Sequence, residues 1–303
     1  ARRPEPARQA RHATLRQRTG LALTSAPFDA AARGYDAAFS DRLLGRLLRE
    51  LLHESLGRWL PRQGQLVELG CGTGVDALWM AQRGAHVLAT DVSELMLAQT
   101  RDRAAAAGVA LSLAQLSLAA PHEAVWADPA GAPTWPKRDE SGLDAALTGS
   151  VDGVWSSFGP LNCVDDRRPL GDALRRWLRP GAHAVLVPMA PLCPWDWLWY
   201  GAQLRPRAAL RRLQQRPVAQ LPGGGELALS YPSLRRLDDE MGAGLRRVET
   251  RALGALLPIS EAAGLVDRAP RLFTALAAIE REVGHLRALT WLTDHVVVVY
   301  ERQ

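Results

Sequence analysis

A chain of 303 residues with 47% hydrophobic and 23% charged side chains can bury a large core, so it reads as one elaborated globular domain rather than a disordered or fibrous protein. No apolar run reaches the ~18 residues of a membrane span, and residues 1–30 lack the apolar stretch of a secretory leader, so the expected address is cytoplasmic. Three scattered cysteines, Cys71, Cys163 and Cys193, and seven histidines without ligand spacing argue against a disulfide framework and point to no metal site.

The formal net charge of +5 has a local origin. Residues 1–20 carry Arg2, Arg3, Arg8, Arg11, Arg16 and Arg18 against Glu5, which accounts for the whole excess and leaves the rest formally neutral. Without apolar periodicity, residues 1–27 read as a basic, flexible arm. Further along, Leu43, Leu44, Leu47, Leu48, Leu51, Leu52 and Leu56 recur at helical spacing between Asp41 and Leu60, and Pro61 ends the run. Short apolar runs follow at 65–69, 86–90, 110–114, 153–156 and 182–187, with helix-compatible stretches at 76–83 and 95–107. This alternation predicts an α/β, Rossmann-like doubly wound sheet, mostly parallel.

Two interruptions stand out. Residues 128–141, DPAGAPTWPKRDES, read as a surface loop. The long connection after the fifth strand must form a structure of its own, so a lid subdomain is expected at 191–244, with 28–190 and 245–303 as the core. The last two strands fall at 245–253 and 295–300, the final one antiparallel. Between them Leu272, Leu276, Ile279, Val283 and Leu286 form one apolar helical stripe. That stripe could cover the sheet, complete a pocket or pair two subunits, so a monomer and a homodimer both fit.

The segment LVELGCGTGVDAL, residues 66–78, sets Gly70, Gly72 and Gly74 behind the first strand, at the edge where an open parallel sheet binds its ligand. A dinucleotide fingerprint needs a third glycine where Val75 stands, so a nicotinamide cofactor is not expected. Glu68 at the strand end is an awkward neighbour for a pyrophosphate and suits a cationic amino-acid group. With V-E-L-G-C-G-T-G as its most specific stretch, the sequence resembles the class I S-adenosylmethionine-dependent methyltransferases over most of 28–187. The resemblance implies S-adenosylmethionine as cofactor and S-adenosylhomocysteine as product. It places Glu68, Gly70, Cys71, Gly72 and Gly74 around the methionine part, Asp91 of LATDVS on the ribose hydroxyls, and Val92 and Met96 beside the adenine. Gln115 and Leu116 of LAQLSL would lie near the adenine amino group.

Two further segments match small-molecule methyltransferases of the glycine N-methyltransferase-like and quinone-methyltransferase-like subgroups. FDAAARGYDAAF, residues 28–39, resembles their opening helix, which implies that Tyr35 closes over the cofactor carboxylate. VDGVWSSFGPLNCVDD, residues 151–166, resembles their fourth-strand segment, with Ser156 and Ser157 at the cofactor, Phe158 at the substrate and Asn162 at the substrate mouth. The N-P-P-Y motif of many DNA and protein amide methyltransferases is missing there, which disfavours those substrates.

Inside the lid, PWDWLWYGAQLRPRAALRRLQQR at 194–216 joins aromatic residues, among them Trp195 and Trp199, to arginines. It reads as a packing helix, as a cover over an apolar or aromatic acceptor bound by the two tryptophans, or as a surface for membrane or single-stranded RNA. Beyond it, Tyr231 precedes Pro232, and Ser233 is a candidate N-cap. The expected chemistry is in-line methyl transfer to a small apolar or aromatic acceptor, driven by proximity and orientation with Asn162 and Tyr231 positioning the acceptor. Asp165 and His285 are the competing ionisable candidates. Two alternatives stay open: an RNA methyltransferase recruited by the basic arm, and a non-catalytic cofactor-binding or assembly protein.

Overall fold

The computed structural model describes residues 28–29, 32, 34–127, 135, 142–214, 217–220 and 226–303; the basic arm and nearly all of the 128–141 loop lie outside them. The strands are β1 (Gln65–Leu69), β2 (His86–Asp91), β3 (Ser112–Gln115), β4 (Val125–Trp126), β5 (Val151–Ser156), β6 (Leu178–Leu186), β7 (Val218–Gln220), β8 (Glu226–Ala228), β9 (Leu245–Leu253) and β10 (His295–Arg302). Eight of them form one sheet in the order β4-β3-β2-β1-β5-β6-β10-β9, and β7 and β8 pair separately as a hairpin. β1 runs parallel to β2 and β5, while β10 is antiparallel to both β6 and β9. This is the doubly wound, mostly parallel sheet expected from the alternation of apolar runs. The two-residue β4, antiparallel to β3, is too short to leave a periodic signal.

Side chains alternate across the sheet with the strand period of two. Leu66, Val185, Val297 and Val299 enter the core on one face, and Val67, Ala184, Leu186, Val296 and Val298 enter the core on the other. The first face is covered by α1 (Leu43–Trp59), whose leucines point inward. α2 (Val75–Gln82) and α3 (Glu94–Ala106) complete the strand-helix units that follow β1 and β2. α4 (Leu143–Leu147) and α5 (Arg168–Trp177) pack on the second face.

Between β6 and β9 the chain forms α6 (Pro194–Ala202), the short α7 (Pro206–Ala209), the β7-β8 hairpin and α8 (Leu234–Met241). Ser233 caps α8, its hydroxyl accepting from the Arg236 N–H. Leu237 and Met241 join the second core, so α8 is packed as part of the central layers although it falls within the stretch expected to form the lid. Between β9 and β10 come α9 (Ala263–Arg268), α10 (Pro270–Val283) and α11 (Arg287–Trp291). The stripe predicted on α10 is not its buried face. Phe273, Ala277 and Glu280 point inward, whereas Leu272 and Ile279 are 56% and 50% exposed. The sequence pattern misleads because Glu280, though charged, is drawn inside to accept from the backbone N–H groups of Gly254, Ala255 and Leu256.

Candidate active site

At the C-terminal edge of β1 the chain turns through Gly70, Gly72 and Gly74 at φ values of 71°, 54° and 78°, a left-handed conformation that glycine adopts without penalty. A Cβ on Gly70 would fall 2.4 Å from the Pro160 Cγ, and one on Gly74 2.6 Å from the Thr100 Cγ2, whereas one on Gly72 meets nothing within 4 Å. Gly70 and Gly74 are therefore glycines for packing, and Gly72 keeps the backbone bare toward a cavity. Asp91, at the end of β2, accepts from the Gly72 and Ser93 N–H groups, each at 2.9 Å. Its carboxylate thus ties the turn to the start of α3 and retains lone pairs on both oxygens. Burial pushes its pKa up to about 6, against the backbone N–H groups that favour the charged form.

The cavity beside this turn measures about 600 Å³, within the range of small-molecule sites. Glu68 forms its floor. One oxygen accepts from the Trp155 indole at 3.0 Å, and the other is buried without a hydrogen-bond partner. Burial, reinforced by Asp76, pushes the Glu68 carboxyl well above its usual range. A cationic amine would satisfy the orphaned oxygen and restore the carboxylate, so the residues fit the methionine part of S-adenosylmethionine.

A second charged group reaches the same cavity from α1. Arg49 pairs with Asp76 at 2.5 Å, and His53 lies 2.8 Å from the other Asp76 oxygen. Burial would raise the Asp76 carboxyl, but Arg49 and His53 hold it far below the ordinary range. The opening segment is fastened over the turn by the two aspartates of its motif. Asp29 accepts from the Ser93 hydroxyl, and Asp36 accepts from the Thr73 hydroxyl at 2.8 Å and pairs with Arg103. Tyr35 is thereby held on the cavity wall.

The opposite wall is apolar. Phe158 lies there at φ 46°, a strained value for a bulky residue, with its ring edge-on to Phe39 at 5.3 Å and to His295 at 5.5 Å. Met189, from the end of β6, and Ala219, Leu227 and Leu229, from the β7-β8 hairpin and its exit, complete this side.

Of the residues singled out in the sequence, Tyr35, Glu68, Gly70, Cys71, Gly72, Asp91, Val92, Met96, Leu116, Ser157 and Phe158 line this one cavity. Others lie behind it. Gly74 packs against Thr100, the Ser156 hydroxyl donates to the Leu69 carbonyl, and the Gln115 amide donates to the Val92 carbonyl, supporting the adenine side indirectly. Asn162 spends both amide hydrogens on the Ser230 and Met189 carbonyls and accepts from the Met189 N–H. It is a buried pin between loops, with no donor left for an acceptor molecule.

The remaining candidates are similarly displaced. Tyr231 lies against the Arg212 guanidinium and is absent from the wall. Trp195 donates to the Ala255 carbonyl and packs with Trp199 around Cys193 and Tyr200, so both tryptophans brace α6. Asp165 and His285 are exposed and lie outside the cavity. Burial pushes the Cys71 thiol well above its usual range and the Cys163 thiol up to about 12, so both stay protonated. Sequence reasoning missed Arg49, Asp76 and His295, which reach the site from distant elements without a motif. Asp29 and Asp36 were within reach, since both belong to the opening motif.

Among the described residues no group of three or more His, Cys, Asp or Glu could hold a metal ion, and no helix is long and apolar enough to cross a membrane. Residues 66–127, from β1 to the end of β4, match the family model of a methyltransferase domain. No curated protein matches the chain. A solved structure assigned as an S-adenosylmethionine-dependent methyltransferase from Listeria monocytogenes is similar at a TM-score of 0.50 and 13% identity, covering 84% of this chain and 98% of its own. A chain from the Haloferax volcanii complex of a methyltransferase activator with its assigned methyltransferase is similar at 0.51 and 17%, covering 91% and 97%. One assigned as a sarcosine dimethylglycine methyltransferase from Galdieria sulphuraria reaches 0.50 and 15%, covering 84% and 85%. At these identities the likeness is one of fold. Matched domain, shared fold and cavity chemistry together support a class I S-adenosylmethionine-dependent methyltransferase, with S-adenosylmethionine as its cofactor.

Proposed function

We propose that the protein transfers a methyl group to a small acceptor of apolar or aromatic character. The observation that carries this reading is the shared cavity: Asp91 and the glycine turn line the same space as Phe158, Met189, Leu227 and Leu229. The cofactor, when bound, supplies an electrophilic methyl group on a positive sulfur. Glu68 and Asp91 would hold its ammonium and ribose ends, and Val92, Met96 and Leu116 its adenine. Tyr35 and Ser157 would flank the centre. Phe158 and the hairpin would exclude water and orient the acceptor toward the methyl group.

Two of the arginines of residues 194–216 are committed to carboxylates within the fold, which speaks against a nucleic-acid surface at those positions. Arg211 is paired with Asp196 and Glu261, and Arg212 with Asp196 and Asp294. Calorimetry should show binding of S-adenosylhomocysteine and none of NAD. Transfer of labelled methyl should then run to small aromatic acceptors in the absence of RNA. Binding of NAD in place of the adenosyl ligand, or label incorporated only into RNA, overturns the proposal.

A further inference from the structure

The segment from α6 to β7 carries an apolar outer surface that methyl transfer does not use. Asp196 and Tyr200 of α6 are buried, while Trp197 and Leu198 are exposed, and Leu204, Leu210, Leu213 and Val218 follow them at the surface. Among the described residues, six of the thirteen exposed large hydrophobics therefore fall between 197 and 218; single exposed leucines are ordinary, but a run of them marks an interaction surface. Leu204 is the extreme case, at 89% exposure and a φ of 55°. It ends α6 with its own N–H donating to the Gly201 carbonyl and the Arg205 N–H donating to the Tyr200 carbonyl, each at 2.9 Å. That pair of bonds is a helix stop whose left-handed position is normally filled by glycine. A leucine there strains the backbone and points its apolar side chain into solvent.

The charge of this segment has one sign. Between Asp196 and Glu226 the sequence holds five arginines and no acidic residue. Arg211 and Arg212 are neutralised by Asp196, and Arg211 also by Glu261. Arg205 and Arg207 are exposed, and neither forms an ion pair among the described residues. Glu226, at the far end of the hairpin, has a partner of its own. The surface also continues onto the outside of the cavity wall. Val218 pairs with Ala228, and Ala219 with Leu227. The first pair is exposed and the second lines the cavity, as the alternation of side chains along a strand requires.

We propose that this face docks on an anionic lipid bilayer, with Trp197 and the leucines entering the boundary between headgroups and acyl chains and Arg205 and Arg207 meeting the lipid phosphates. A second copy of the chain fits less well, because a symmetric contact through this face sets like charges against each other. RNA fits less well too, since bases are gripped by stacking on rings and the exposed side chains here are leucines, with Trp197 as the one exposed ring. Resting on the methyltransferase reading, docking would bring the apolar wall of the cavity within one hairpin's thickness of the lipid, where an apolar acceptor is concentrated.

The test titrates the full chain, without cofactor, with vesicles of phosphatidylglycerol mixed into phosphatidylcholine and with vesicles of phosphatidylcholine alone, and reads the bound fraction by cosedimentation. The wild type should prefer the anionic vesicles and release them as salt is raised. Leu204→Gly removes the side chain and relieves the strained turn, so it should weaken vesicle binding about tenfold with resistance to denaturant no lower than the wild type's. Arg207→Gln should weaken binding about fivefold on the anionic vesicles alone. Ile279→Gln, which removes an exposed apolar side chain of α10, should change neither. A wild type that ignores the vesicles, or binds both kinds equally, overturns the proposal. Binding that survives both L204G and R207Q belongs to the basic arm and overturns it as well, and so does self-association that L204G abolishes while vesicles are left unbound. None of these outcomes touches the methyltransferase reading, which stands or falls with binding of the adenosyl ligand.

Discussion

The two sides of the cavity are built by different means. On the cofactor side the binding surface is largely backbone: a glycine turn at positive φ, and one carboxylate that accepts from the turn and from the head of the next helix. Its parts lie between Glu68 and Leu116, close along the chain. On the side proposed for the acceptor the surface is made of side chains that arrive separately, Phe158 after β5, Met189 after β6, Leu227 and Leu229 from the hairpin and His295 from β10. Backbone geometry leaves little freedom to vary without losing the ligand, whereas a wall of independent side chains can be reshaped for a new acceptor while the cofactor stays in place.

Arg49 stands at the seam of the two sides, and its removal should have the largest effect. Arg49→Met leaves Asp76 buried with only His53 beside it and close to Glu68, and breaking such a pair costs about 3–5 kcal/mol. Chemical denaturation reads this directly. A loss under about 1 kcal/mol would mean that water reaches Asp76 and that the seam is not sealed.

Next comes Asn162, a residue of the acceptor side that the structure turns into a pin. Asn162→Ala strips the Met189 N–H and the Met189 and Ser230 carbonyls of their partner, for about 3 kcal/mol of stability, with adenosyl-ligand affinity retained. If turnover instead fell with stability untouched, Asn162 would be handling the acceptor.

On the cofactor side, Asp91→Ala should weaken S-adenosylhomocysteine binding by about 1–3 kcal/mol, as expected for hydrogen bonds to a charged group. pH gives a separate handle. Because the folded carboxyl is raised to about 6, its contribution to the stability of the ligand-free protein is full below the ordinary carboxylate range and is lost as pH rises through about 6. Ligand affinity runs the other way, since the ribose hydroxyls need the carboxylate. The thermal upshift on adding S-adenosylhomocysteine should therefore grow between about pH 5 and 7, and a flat response would remove Asp91 from the ribose.

Legibility in the sequence follows the same division. The glycine turn, Asp91, Val92 and Met96 could be read because their spacing is set by one strand-helix-strand unit. Phe158 and Ser157 could be read because they leave the strand next to that unit. His295 could not: it reaches the cavity wall, beside Asp294 and Phe158, only through the antiparallel return of β10. Asn162 and Tyr231 sat in suggestive loops, but backbone carbonyls and Arg212 claimed them first. Among the elements, β4 was missed for its length, and the α10 stripe was misread because a buried glutamate occupies the inner face.

That helix offers the smallest effect and the control for the others. Its inner face carries Glu280, which holds the Gly254, Ala255 and Leu256 N–H groups, and the Ala255 carbonyl in turn accepts from Trp195 of α6. The inner face thus supports the acceptor side, while Leu272 and Ile279 on the outer face touch neither side of the cavity. Ile279→Gln should shift unfolding by no more than about 0.5 kcal/mol and leave adenosyl-ligand affinity and acceptor turnover unchanged. A larger loss that depends on protein concentration would show that the stripe is covered by a second copy of the chain, and its reach into turnover would show that the acceptor side is completed across that contact.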